Sequence, residues 1–98
     1  MFNLKDAATS RTAYEKWAAA HDVPTVKNLK SVDDFQVFRM GNILGTETPS
    51  PYQYCEIIEV NDLTGLFSDI GTPEMQKIAG EFAAFADNPL FVLSEKFA

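Results

Sequence analysis

Tyr14, Trp17 and His21 are spaced so that an α-helix would set them along one edge. An aromatic wall beside a group that titrates near neutral pH can hold a planar heterocycle and move a proton on or off its nitrogen. Each residue also has a plain packing role. A large aromatic such as Trp17, at the centre of a helical stripe, normally packs on a sheet, and a histidine near a helix end offsets the negative end of the dipole.

Arg39 and Glu56 are charged residues inside otherwise apolar, strand-forming stretches, and buried charges need partners. An Arg39 to Glu56 pair across adjacent strands would line a pocket, or would stand as a structural ion pair at an edge or seam. Tyr54 offers a hydroxyl that can donate to a ligand, although strand aromatics usually serve the core. Cys55 has no basic neighbour in sequence, so nothing marks it as a nucleophile. Asp33, Asp34 and Asp62 suit turns and caps. Gly41 and Gly45 lack the lysine and hydroxyl of a phosphate loop, and no dinucleotide fingerprint occurs. The residues selected are therefore His21, Tyr14 and Glu56 for proton transfer, with Trp17, Arg39, Tyr54 and Phe82 for holding the ligand.

Composition narrows the chemistry. Lys and Arg number 8 against 14 Asp and Glu, a net charge of −6 and the wrong sign for binding phosphate backbones, so nucleic acid is excluded as a partner. With one cysteine and one histidine, neither an intrachain disulfide nor a zinc site of the usual Cys/His kind is expected. The chemistry should be metal-free or rest on carboxylates, with no cofactor. No apolar run reaches the roughly 18 residues of a membrane span, and the opening residues lack a basic lead followed by an apolar stretch; a cytoplasmic location without membrane contact is the expectation.

The elements that must position these residues follow from periodicity. MFNLK alternates as a short strand ending near Lys5, followed by an Asp6 to Ser10 turn. Ser10 or Thr12 would cap the next helix, Thr12 with Glu15 forming a capping box, and the helix would run to about Asp22. On it Ala13, Trp17 and Ala20 face one way and Arg11, Glu15 and Asp22 the other. Pro24 should interrupt the helix and begin a short turn through Leu29.

Val32–Met40 alternates as a strand, with Phe35, Val37 and Arg39 against Gln36, Phe38 and Met40. Gly41–Pro51 is a turn-rich loop, long enough to act as a lid or partner contact. Tyr52–Val60 is the clearest strand, with Tyr54, Glu56 and Ile58 on one face. Asp62 caps a short helix closed by Gly71, and Thr72-Pro73-Glu74 starts a longer one bearing Met75, Ile78, Phe82 and Ala86. Asn88-Pro89 stops that helix, and the LFVLSEKF stretch from Leu90 reads as a final strand.

The order is βαββαβ, with no repeats and no linker, so residues 1–98 should form one domain. The expected class is α+β: a ferredoxin-like, four-stranded antiparallel sheet with its helices on one face. Apolar side chains alternate onto both faces, so the uncovered face would require a second sheet from a homodimeric partner.

The segments YEKWAAAHDVPTV, YQYCEIIEV and TPEMQKIAGEFAAFADNPLFVLSE resemble the REDY-like, or HapK-like, family of the dimeric α+β barrel superfamily. The resemblance covers nearly the whole chain; the opening strand is shorter than the lead-in such chains usually have. It implies a homodimeric barrel with a pocket between sheet and helices. It also implies a place in the biosynthesis of prodigiosin-type tripyrrole pigments, acting on reactive aromatic nitrogen heterocycles. Three activities fit: cofactor-free condensation, cyclisation or proton transfer on a pyrrole or indole-like substrate; a carrier that shields a reactive intermediate; or a small cofactor-free monooxygenase.

Overall fold

The computed structural model describes residues 1–98 except for the side chains of residues 7–10. The elements in order are β1 (Asn3–Leu4), α1 (Ala7–Trp17), a π-helical segment (Ala18–Asp22), α2 (Val23–Lys27), β2 (Val32–Arg39), β3 (Tyr54–Val60), α3 (Leu63–Asp69), α4 (Pro73–Phe85) and β4 (Ala86–Asp87). The fold is α+β with antiparallel strands.

β2 and β3 form the main ladder, where alternation of β-branched and aromatic residues favours a half-buried pleat. Phe35 pairs with Ile58, Val37 with Glu56 and Arg39 with Tyr54, and the register shifts between Val32 and Asp34. The short strands β1 and β4 form a second ladder, Asn3 opposite Asp87 and Leu4 opposite Ala86. A bridge between Phe2 and Tyr54 sets β1 beside β3, with both backbone bonds made: Phe2 N donates to Tyr54 O at 3.0 Å and Tyr54 N to Phe2 O at 3.1 Å.

The caps of α3 and α4 form as expected. Asp62 accepts from the Gly65 amide at 3.0 Å, and Thr72 accepts from the Met75 amide at 3.4 Å with Pro73 in the first turn behind it. The first helix departs from expectation. It begins at Ala7 with Asp6 at the cap position, so Thr12 lies inside it and exposed rather than capping it; the Ser10 side chain lies outside the described residues.

Nor does Pro24 interrupt the helix. α1, the π-segment and α2 run on without leaving helical backbone, and the Val23 amide reaches back five residues to the Ala18 carbonyl. Proline has no amide to give the carbonyl four residues before it, and the wider π turn absorbs that missing bond.

The C-terminal expectation is corrected more strongly. Leu90–Phe97 forms no strand; strand geometry ends at Asp87, and Asn88 turns the chain with φ 46°, a left-handed conformation that asparagine tolerates. Beyond it Phe91, Val92 and Leu93 are 78%, 80% and 75% exposed.

Two clusters make the core. Phe2, Leu4, Tyr14, Trp17, Tyr54, Ile78 and Phe82 pack between α1, α4 and the strands, while Val26, Val32, Phe35 and Met75 pack under α2. Among the described residues no helix is long and apolar enough to cross a membrane.

Candidate functional site

The inner surface of β3 carries Tyr54 and Glu56 toward α1, because residues two apart on a strand share a face. Tyr14, fully buried, descends from α1 and donates its hydroxyl to Glu56 Oε1 at 3.0 Å. Around that bond the rings pack edge to face and tilted: Phe2 lies 5.4 Å from Tyr14, Tyr54 4.8 Å and Phe85 5.7 Å, with Trp17 against both Tyr14 and Phe82.

Asp22 is the second acid of this interior. It is only 4% exposed. Burial first, and the nearby Glu56 charge second, push its carboxyl up to about 7. Burial also raises Glu56, opposed by the hydrogen bond from Tyr14, and the Tyr14 hydroxyl is raised by burial and by Glu56. Burial and the neighbouring Glu56 charge together let Asp22 keep its proton up to near neutral pH.

Helical phase explains why Asp22 is here and His21 is not. Tyr14, Ala18, Asp22 and Val26 are each four residues apart and all buried, whereas His21 is exposed. An unbroken α-helix would have turned His21 toward Trp17. The π-segment takes up one extra residue per turn and rotates Asp22 into its place. Counting at 100° per residue puts Asp22 on the polar side and His21 at the flank of the apolar face; in the structure Asp22 is buried and His21 exposed. The signal was available in Pro24, four residues after Ala20, where an α-helical bond cannot form.

A second polar network stands at the mouth of the first helix. Glu15 accepts from Arg39 through both guanidinium branches, Arg39 Nε reaching Oε2 at 3.0 Å, and from the Tyr54 hydroxyl at 2.7 Å. Arg39 first and Tyr54 second hold the Glu15 carboxyl down to about 2. Burial and this bond raise Tyr54 to about 12. Arg39, Arg11 and Lys16 line an open cleft of about 650 Å³ here. The Arg39 to Glu56 pairing does not form: the ladder sets Val37 opposite Glu56, and Glu15 arrives over Arg39 from α1.

The remaining candidates lie in the packing. Trp17 Nε1 donates to Glu81 Oε2 at 3.2 Å, and Phe82 is buried against Phe2 and Trp17. The structure therefore joins Tyr14, Glu56, Trp17, Tyr54 and Phe82 in or beside one interior, sets Arg39 at its rim, and leaves His21 outside. Among the described residues no group of three or more His, Cys, Asp or Glu is placed to hold a metal ion.

The family model described as "HapK: REDY-like protein HapK" matches residues 1–97. The chain belongs to the REDY-like HapK family. Among solved structures, the crystal structure of HapK from Hahella chejuensis superposes with a TM-score of 0.72 at 25% identity, covering 99% of this chain and 91% of that one. No curated protein matches the chain.

Proposed function

We propose that this REDY-like protein acts on a planar aromatic nitrogen heterocycle of the pyrrole or indole kind, without a cofactor, within biosynthesis of prodigiosin-type pigments. The observation that carries the chemical part of this reading is the buried acid Asp22 near the half-buried Glu56, with the Tyr14 hydroxyl bonded to Glu56 and aromatic rings packed around Tyr14.

A protonated carboxyl near pH 7 can give its proton to a ring nitrogen or carbonyl oxygen, becoming a carboxylate beside the cation it has made, and recover it when the product leaves. Such a cycle serves condensation, cyclisation or tautomerisation equally. Trp17 and Phe82 would stack on the ring, and Tyr14 would keep Glu56 oriented. The assembly belonging to this reading is a homodimeric α+β barrel of two four-stranded ferredoxin-like sheets, supported by Phe38 and Ile57, which lie exposed on the face of β2 and β3 away from the helices.

The test is a screen of pyrrole and indole compounds. Binding is read from Trp17 fluorescence and conversion from chromatography with mass detection. The expected result is binding by the unsubstituted chain and by Asp22→Asn and Glu56→Gln alike, with conversion lowered at least tenfold in the two variants. Equal conversion by all three would remove the acid pair from the chemistry. One observation favours a carrier instead: Tyr14, bonded to Glu56, is closed in by packed rings, a setting that shields a reactive molecule. Binding without conversion by any form would decide for it.

A further inference from the structure

Three of the chain's 8 lysines and arginines meet at one place. Arg11 and Lys16 come from α1, Arg39 ends β2, and with Thr12 and Glu15 they line the open cleft of about 650 Å³. Helical spacing brings them together. Arg11 and Glu15 stand four residues apart, as do Thr12 and Lys16, so two adjoining rows of α1 face the same volume. In a chain of net charge −6, cations gathered in this way need a reason.

The charges that line the cleft do not cancel. Glu15 is the one acid among the lining residues, and its carboxylate is already committed to both branches of the Arg39 guanidinium and to the Tyr54 hydroxyl. Those bonds fix Arg39 at the rim. Its guanidinium nevertheless stays 63% exposed, with two of its five donors spent on Glu15. Among the described residues, the side chains of Arg11 and Lys16 have no ion-pair or hydrogen-bond partner. Three cations against one carboxylate leave two positive charges in excess over one volume.

We infer that this cleft binds the phosphate of a small organic phosphate monoester. The excess matches a dianion, whereas a single carboxylate would leave one of the two charges unmet. The donors agree with this. Arg11, Thr12 and Lys16 offer a guanidinium, a hydroxyl and an ammonium from α1, and Arg39 offers a guanidinium from β2, so groups on two elements can share the three terminal oxygens of a phosphate.

The volume falls within the range of small-molecule sites and exceeds what a phosphate fills, which leaves room for an organic body. A macromolecular polyanion is a poorer match. The net charge of −6 repels it on approach, while a small dianion seated in the cleft responds chiefly to the cations within a Debye length. The inference does not rest on the heterocycle reading, because none of the lining residues belongs to the Tyr14, Glu56 and Asp22 interior.

Amide NMR titrations with phenyl phosphate, inorganic phosphate and benzoate at low salt test it. Phenyl phosphate should give saturable shifts at Arg11, Thr12, Lys16 and Arg39, with an affinity that falls as salt rises. Arg11→Gln combined with Lys16→Gln should weaken that affinity at least tenfold, and Lys77→Gln, on α4, should leave it unchanged. All three side chains are exposed, and thermal unfolding checks that the variants keep the fold. A pH series adds a second readout. Glu15 is held at about 2 and Tyr54 at about 12, so neither changes charge between pH 5 and pH 7. A phosphate monoester gains its second charge at about pH 6, so phenyl phosphate should bind more tightly at pH 7 than at pH 5, while benzoate, ionised throughout, should not. Benzoate bound as tightly as phenyl phosphate would overturn the assignment to a dianion, and inorganic phosphate bound as tightly would remove the organic body. Shifts that never saturate, or an equal loss in Lys77→Gln, would overturn the site and leave a solvated charged face.

Discussion

The Tyr14 hydroxyl meets the Glu56 carboxylate at 3.0 Å, joining α1 to β3 across a ring-lined interior. This bond opposes the burial that drives the Glu56 carboxyl up. Tyr14→Phe keeps the ring and its contacts and deletes the donor. The expected result is a further rise in the Glu56 carboxyl pKa, seen by carbon NMR, and a stability loss of about 1–3 kcal/mol in urea unfolding, the cost of leaving a buried acceptor unsatisfied. An unchanged Glu56 titration would break the link between the two residues.

Asp22 imposes a pH dependence of defined sign. Its carboxyl titrates near 7 in the folded chain against 3.8 for the free group. Between those values the folded state holds more protons than the unfolded one, so this group makes stability fall as pH rises through that window and costs its full amount above about 7. The ceiling set by the shift is about 4 kcal/mol. Asp22→Asn removes the ionisation, so the variant should gain stability relative to the parent at pH 8 and lose that advantage at pH 4. Thermal unfolding at the two pH values measures it; parallel curves would show that Asp22 ionises freely in the fold.

Glu15 behaves in the opposite sense. Arg39 and Tyr54 hold its carboxyl near 2, so the stability that it contributes is present above its ordinary 4.5 and lost as pH falls toward 2. The pair is largely solvent-exposed and contributes little. Arg39→Ala should return the Glu15 titration at least one unit toward 4.5 by NMR while changing global stability by less than about 1 kcal/mol. A Glu15 carboxyl still near 2 would assign its depression to Tyr54 and Arg11.

What was legible in the sequence was whatever a regular period or a local cap writes down. β2, β3 and α4 follow from alternation and from the Thr72-Pro73 start, and Tyr14 and Glu56 meet in the interior because both lie on regular elements whose faces are easily counted. Asp22 was missed because counting at a fixed 100° per residue carries no provision for a π turn, and a single added residue exchanges His21 for Asp22. The segment from Leu90 reads as a strand by composition, yet a strand also needs a paired edge, and among the described residues no backbone bond is made beyond Asp87. Arg39 was matched to the wrong acid because strand faces were known while the position of α1 above them was not.

His21 provides the clearest contrast between phase counted from sequence and phase set by the π-segment. The side chain is exposed, away from the Tyr14, Glu56 and Asp22 interior that it was expected to border. His21→Ala should therefore alter stability by no more than about 0.5 kcal/mol, the ordinary range for a surface change. Conversion of a pyrrole or indole substrate should also be unaffected, while Asp22→Asn in the same assay lowers it. Loss of conversion in His21→Ala with the dimer intact would return the histidine to the mechanism. It would also mean that substrate meets the protein on the outer side of the first helix, where Asp22 cannot reach it.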